Sequence, residues 1–275
     1  MSDLELVQQC SVILSVVPPR DAEATAQRVA DAFSGGSSSS RVYFLELNAV
    51  APSTSREIAH MFERARVPVH FIDGCIIGGP PQLKNDKAAV VSEIDSTSSD
   101  LDWIRPNIPI SGPHDLLSIP QGERLSAALN LKVISKEIGV ASGLKMCFAA
   151  MAKGFTAIAT QSFATAHSLG VVDELKQQLT DIMPANLTAA QRRVPSMPPK
   201  AYRWVREMEE ISKTMSEEGG WDATLFQGAA GVYKAVAEDA VLGKEKVGKR
   251  TRGTSVDDVA TLMAEGLERK RKKTE

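Results

Sequence analysis

Cysteine, histidine, long apolar runs and an excess of either charge are all in short supply in this chain, and each shortage excludes something. The 275 residues hold three cysteines, Cys10, Cys75 and Cys147, with neither CxxC nor metal-ligand spacing. Reduced thiols in a cytoplasmic protein are the expectation. The four histidines, His60, His70, His114 and His167, are scattered, so no metal site is expected. No apolar run approaches the ~18 residues of a membrane span, and the acidic start MSDLELVQQC has no signal-peptide core. Lysine plus arginine number 32 against 34 acids, a net charge of −2. That balance gives no electrostatic case for a nucleic-acid or membrane partner. The pattern GxGxxG, whose glycines let a diphosphate meet a helix N-terminus, occurs nowhere.

What is present is ample apolar content, 43%, arranged in two styles. In the first half, short runs rich in β-branched residues alternate with helical patterns. Residues 3–9 read as the end of a helix. SVILSVVPP (11–19) reads as a strand buried on both faces and stopped by two prolines. Asp21 opens a helix that stops at Gly35-Gly36, and a serine loop fills 37–40. VYFLELN (42–48) is a second strand, a helix follows Pro52, and VHFIDGCII (69–77) is a third strand running into Gly78-Gly79. This order predicts an α/β layer with a mainly parallel sheet. Signals from 90 to 138 are mixed: SEIDS and IPISGP read as short strands, and GERLSAALNLKVISKEIG as a helix followed by a strand.

The second half reads as all helix. Its entry is GVASGLKMCFAAMAKGFTAIATQSFATAHSLG (139–170), read as one long helix with Ser142 as N-cap and Gly170 just past its end. At ~1.5 Å per residue such a helix is roughly 42 Å long, enough to link two domains. Lys145 and Lys153 interrupt its run of small residues; an ammonium there needs solvent or a polar partner. Helices are expected at 171–182, 186–194 and 200–219, the last amphipathic with Tyr202, Val205, Met208 and Ile211 on one side, and the charged end is expected to be a solvated helix.

Ligands of open parallel sheets sit beyond the carboxyl ends of the strands. Those ends are Val16-Val17-Pro18-Pro19, Asn48-Ala49-Val50-Ala51-Pro52 and Gly78-Gly79-Pro80. They offer a pyrrolidine wall, an amide that donates and accepts, and bare backbone N–H groups.

Taken in order with Lys145, these segments resemble the β-hydroxyacid dehydrogenases, the group of 3-hydroxyisobutyrate and 6-phosphogluconate dehydrogenases and their imine-reductase relatives. SVILSVVPPRDA resembles the family's Pro-containing cofactor loop. Glu46-Leu47-Asn48-Ala49-Val50-Ala51-Pro52 resembles its acidic-x-Ser/Asn-x-x-x-Pro segment, Asp73 to Gly79 its Asp-x-x-x-Ser-Gly-Gly, and Gly139 to Lys145 its catalytic-lysine segment. SGLKMCFAAMAKG and RWVREMEEI are similar to a branch with a phosphogluconate-dehydrogenase-like helical domain.

The resemblance implies a partial NAD(P)-binding Rossmann-type domain over 1–137, an all-α 6-phosphogluconate-dehydrogenase-like domain over 138–245 and a charged tail over 246–275. It implies hydride transfer at a hydroxyl, carbonyl or imine carbon. Lys145 is then the catalytic proton donor and acceptor. Val17, Pro18 and Asn48 bind the cofactor, NADP in preference to NAD, and Asn48, Gly78 and Gly79 bind a small-molecule substrate. A homodimer through the helical domain is implied too. Departures from the pattern carry expectations of their own. The family's opening strands and GxGxxG have no counterpart in the sequence, so cofactor binding is expected to be weak and apolar strand edges exposed. Ile77 stands where the family has serine, and Phe148 or Ala149 where it has asparagine, which favours a bulkier or less polar substrate. The alternative reading is a truncated, non-catalytic family member that acts in dimerisation or interaction.

Overall fold

The computed structural model describes residues 2–34, 41–83 and 103–274. The chain divides into two compact units, 1–146 and 147–275.

The first unit is built on a five-stranded sheet of β1 (Val12–Ser15), β2 (Val42–Glu46), β3 (Val69–Gly74), β6 (Ile108–Ser111) and β7 (Leu131–Ser135), in the order β1-β2-β3-β6-β7. All neighbours are parallel except β3 and β6, so the sheet is mainly parallel, as the β-branched runs predict. Between β3 and β6 lies a two-stranded ribbon of β4 (Gln82–Leu83) and β5 (Trp103–Ile104). The SEIDS segment falls outside the described residues.

Helices α1 (Asp3–Gln9), α2 (Ala22–Ser34) and α3 (Pro52–Ala65) pack in series. They share a core with the strands in which Val7, Ala26, Val29, Phe44, Ile58, Phe62 and Phe71 are all buried. Each such large apolar side chain contributes roughly 1.5–3 kcal/mol on burial. The other side of the sheet buries Leu45, Leu47, Ile72, Ile108 and Ile110 with Leu116 of a 3₁₀ turn, and Leu125 and Leu129 of α4 (Gly122–Leu129) pack against them. The first helix is complete in itself: Ser2 Oγ accepts from Glu5 N and the Glu5 carboxylate accepts from Ser2 N, a reciprocal cap.

Among the described residues β1 is an edge strand. Carbonyls of Ser11 and Ser15 are taken by β2, so the alternate residues turn their backbone groups outward. Leu14 and Val16 are 39% and 59% exposed along this edge. An unpaired apolar edge is a template for association. Val16→Lys is expected to suppress concentration-dependent light scattering while shifting stability by no more than about 0.5 kcal/mol. Equal scattering from the two proteins would clear this edge of that role.

The long helix starts earlier than the sequence suggests. It runs as α5 (Val140–Ala149), a π turn (Ala150–Gly154) and α6 (Phe155–Leu169), and ends on left-handed Gly170 at φ 72°. Ser142 is therefore not its N-cap; it lies inside the first turn, for a reason given below. The π turn widens the backbone and releases carbonyls, and side chains collect them. Arg193 donates to Ala152 O at 3.3 Å, Thr156 Oγ1 donates to the same oxygen at 3.0 Å, and Tyr233 Oη donates to Lys153 O. Lys153 does not reach for open solvent: it pairs with buried Glu207 and lies 4.9 Å over the Trp204 ring.

The second unit continues as α7 (Val172–Ile182), α8 (Pro184–Ser196), α9 (Ala201–Glu217), α10 (Thr224–Ala237) and α11 (Val256–Thr274). Two expectations change here. In α9 the inward stripe is Trp204, Met208 and Ile211, with Tyr202 59% exposed, because Trp204 packs edge-on against Tyr233 at 5.2 Å. The expected charged, solvated tail contains α11, which packs on α6 and buries Val259, Ala260, Leu262 and Met263; only its last turns are basic and exposed. Among the described residues no helix is long and apolar enough to cross a membrane.

Candidate functional site

The carboxyl ends of β1, β2 and β3 gather the chemistry of the first unit, and a buried carboxylate organises them. Asp73, at the end of β3, is fully buried and accepts five hydrogen bonds. Ser55 of α3 and Ser142 of α5 donate hydroxyls to Oδ1. Ser111 of β6 donates its hydroxyl to Oδ2 at 2.8 Å, and the backbone N–H groups of Gly139 and Ser142 donate to the same oxygen at 3.0 and 3.1 Å. The start of α5 thus sits on a carboxylate, which complements its positive end. A register shift between Ile110 and Ser111 turns Ser111 into this network, where its hydroxyl also accepts from Ala141 N. Gly139 holds φ 99° against Pro52 and Arg56, and a Cβ there would come within 2.9 Å of the Arg56 guanidinium. This explains Ser142: its side chain ties α5 to the sheet instead of capping it.

One turn on, Lys145 Nζ donates to Ile76 O at 2.8 Å. Half-buried, the ammonium stands over the chain segment that leads into Gly78-Gly79. Ile77 and Asn107 exchange two backbone bonds, Ile77 N to Asn107 O at 2.8 Å and Asn107 N to Ile77 O at 2.9 Å, fixing the strand up to exposed Gly78 at φ 133°. The structure therefore ties Lys145 to Ile76, two residues before Gly78-Gly79. Cys75 is beside it but chemically quiet. Burial pushes its thiol up to about 12, against the pull of the Lys145 charge, and Sγ donates to Ala141 O at 3.2 Å.

Asn48 lies at the next strand end, with its side chain spent on the loop after β1. Oδ1 accepts from Val17 N at 2.6 Å and Nδ2 donates to Ser15 Oγ at 2.9 Å. The residue is 4% exposed, so it shapes the half-buried Val17-Pro18 wall. Its own N–H donates to Glu46 Oε1 at 2.9 Å. Glu46 is fully buried, next to Asp73 in register, and its Oε2 bonds to nothing among the described residues. Burial raises the Glu46 carboxyl to about 7. The Asp73 charge adds to the rise, and hydrogen bonds from Asn48 and Ser15 oppose it.

Of the residues named from the sequence, Asn48, Val17, Pro18, Gly78 and Gly79 stand at or just beyond strand ends of the first unit, and Lys145 stands on α5 with its Nζ on Ile76 O. Sequence reasoning missed the roles of Asp73 and Glu46. The available signal was an acid closing each of two adjacent strands, with serines at 55, 111 and 142 to receive one of them. Among the described residues no three His, Cys, Asp or Glu side chains converge as a metal site.

Comparison with known proteins adds a family model and a fold. Residues 166–236 match the domain of unknown function DUF1932. No curated protein matches the sequence. Solved structures match over nearly the whole chain. A conserved hypothetical protein from Sinorhizobium meliloti 1021 is 20% identical, with 96% of this chain and 77% of that one covered at TM-score 0.60. The conserved protein MTH1747, of unknown function and described as structurally similar to 3-hydroxyacid dehydrogenases, is 22% identical, with 89% and 81% covered at TM-score 0.56. The 3-hydroxyisobutyrate dehydrogenase of Mycobacterium tuberculosis is 13% identical, with 94% and 80% covered at TM-score 0.54. The chain has the fold of these proteins: a mainly parallel α/β part followed by a helical part.

Proposed function

We propose that the chain is an NAD(P)-dependent oxidoreductase of the hydroxyacid dehydrogenase type, in which Lys145 carries the proton. The observation that supports this most is the 2.8 Å bond from Lys145 Nζ to Ile76 O, which holds an ammonium at a residue two before the Gly78-Gly79 turn. Reduction of a carbonyl or imine builds charge on oxygen or nitrogen. An ammonium beside that atom stabilises the charge and delivers a proton; run in reverse, the lysine amine accepts one. Ile76 O and the Asp73 network fix where Lys145 stands, and the exposed Gly78-Gly79 backbone orients the substrate. When bound, the dinucleotide supplies the hydride.

The residues present fit one end of that dinucleotide. Half-buried Val17 and Pro18, braced by Asn48, make an apolar wall for a flat ring. Among the described residues no GxGxxG turn offers backbone to the diphosphate, and Asp21 and Glu23 put negative charge at the start of α2. That observation favours a second reading, a non-catalytic interaction protein that works as a homodimer. Exposed Met151, Ile158, Leu169, Trp221 and Leu225 in the helical unit provide apolar surface for it.

Titration of the monodisperse chain with NADPH and with NADH separates the readings. Energy transfer from Trp103, Trp204 and Trp221 to the reduced nicotinamide reports binding, with calorimetry as the check. Saturable binding of either nucleotide supports the oxidoreductase. A folded chain that binds neither supports the interaction protein, and a dimer mass by light scattering would then be expected.

A further inference from the structure

The proton transfer assigned to Lys145 leaves Glu46 unused, yet a row of hydrogen bonds runs to it. Glu46 is fully buried, in register with Ser15 of β1 on one side and Asp73 of β3 on the other. The two acids have opposite surroundings. Asp73 collects five donors. Glu46 takes Asn48 N on Oε1 at 2.9 Å, and its Oε2 meets no partner among the described residues. Two neighbouring carboxyls closed off from water do not ionise together readily. Asp73, met by its donors, carries the charge, and Glu46 is the acid that keeps a proton into the neutral range.

The bonds of this row all point one way. Val17 N donates to Asn48 Oδ1 at 2.6 Å. A backbone N–H can only donate, which fixes the amide and turns its Nδ2 to Ser15 Oγ, 2.9 Å away. Ser15 Oγ accepts there and sends its own proton to the Glu46 carboxyl. Each donor in the order Val17, Asn48, Ser15 thus points toward Glu46. A negative charge at the acceptor end polarises and tightens such a row. A proton there undoes it, because a protonated carboxyl donates, and Ser15 Oγ then faces donors from both sides. The other groups packed around Glu46 are engaged elsewhere. Arg56 of α3 stands against Gly139, Lys145 of α5 bonds to Ile76 O, and Arg20 and Asp21 ahead of α2 pair with each other at the surface. Asp73 is the charge that acts on Glu46.

We propose that Glu46 is a positioning residue that makes the Val17-Pro18 wall respond to pH: loss of its proton tightens the row through Ser15 and Asn48 and fixes the wall, and its protonation slackens the wall. The relay stands on these bonds; its effect on nucleotide affinity rests on the oxidoreductase reading above. A flat ring that leans on the wall binds the ionised form better and, by reciprocity, eases the ionisation of Glu46.

NMR of the full chain reads the relay without any ligand. In the parent, the Val17 amide shift is expected to titrate together with the Glu46 carboxyl carbon. Ser15→Ala cuts the row: Glu46 still titrates and Val17 no longer follows. In Glu46→Gln the Val17 signal is expected to stay flat. NADH is the binding probe, since it lacks the phosphate monoester that would itself titrate near pH ~6. The parent is expected to bind NADH roughly five- to tenfold more tightly at about pH 8.5 than at about pH 6, and Glu46→Gln to hold one weaker affinity throughout. The glutamine variant then melts higher at alkaline pH and yet binds less well, a combination that a merely structural Glu46 does not give. A Val17 signal that ignores pH while Glu46 titrates overturns the relay, as does an unchanged Val17 titration in Ser15→Ala. NADH affinity that follows the same pH profile in the parent and in Glu46→Gln overturns the effect on binding. Val17 following Glu46 in a chain that binds no NADH at any pH supports the relay and contradicts the oxidoreductase reading.

Discussion

Asp73→Ala is expected to lower stability by about 4 kcal/mol or more, a fall in melting temperature of roughly 10 °C. The mechanism is loss of one acceptor with many donors. Removing the carboxylate strands the N–H groups of Gly139 and Ser142 and the hydroxyls of Ser55 and Ser142, all in a region closed to water. A buried donor left unmet costs ~1–3 kcal/mol, and some recovery by relaxation keeps the sum below the full total. Ser55→Ala gives a graded control. It removes one hydroxyl and leaves the backbone donors paired, so a loss of about 1 kcal/mol is expected. Urea unfolding of the three proteins checks the ranking. An Asp73→Ala protein within about 1 kcal/mol of the parent would show that α5 is held by something else.

Glu46→Gln is expected to act in the opposite direction, by an amount that grows as pH rises above about 4.5. The Glu46 carboxyl is raised to about 7 from 4.5, so between these values the folded chain holds a proton that the unfolded chain has released. Stability from this group therefore falls as pH climbs from about 4.5 to about 7, and the full penalty applies above that. At ~1.4 kcal/mol per unit the penalty is about 3 kcal/mol. Glutamine keeps an oxygen for Asn48 N and never ionises. At pH 8 to 9 the variant is expected to melt roughly 5–10 °C higher, while near pH 5 the two proteins converge. His70 and His114, stacked at 4.2 Å and both lowered by burial, pull stability the other way on the acid side. They are common to both proteins and cancel in the comparison. A difference that does not change with pH would show that Glu46 is not the titrating group.

Much of the fold is legible because it rests on local pattern. The runs 11–17, 42–48 and 69–77 are apolar and β-branched, and they become three parallel neighbours. Gly170 ends the long helix where a residue free to adopt positive φ was required. The α9 stripe was displaced because the choice between Tyr202 and Trp204 is made by Tyr233, some thirty residues on. The Asp73 network was hidden for the same reason: its donors lie 18, 38, 66 and 69 residues away, beyond any periodic signal. The π turn is likewise fixed by Arg193 and Tyr233 from other helices. The candidate site was readable as strand-end residues plus a lysine. Which of them bind ligand and which brace the scaffold was not, because an amide such as Asn48 suits both tasks and only its neighbours decide.

Lys145 carries the proposed chemistry. The direct measurement is the NADP- and NAD-linked oxidation rate over a panel of 3-hydroxy acids and cyclic amines, comparing the parent chain with Lys145→Ala. Circular dichroism would confirm that both are folded. Turnover by the parent and a fall of roughly 10²–10⁴-fold in the variant are expected, the range a positioned proton carrier supplies. Equal rates in the two proteins would contradict that role, and the ammonium held at Ile76 would then be a brace like Asn48.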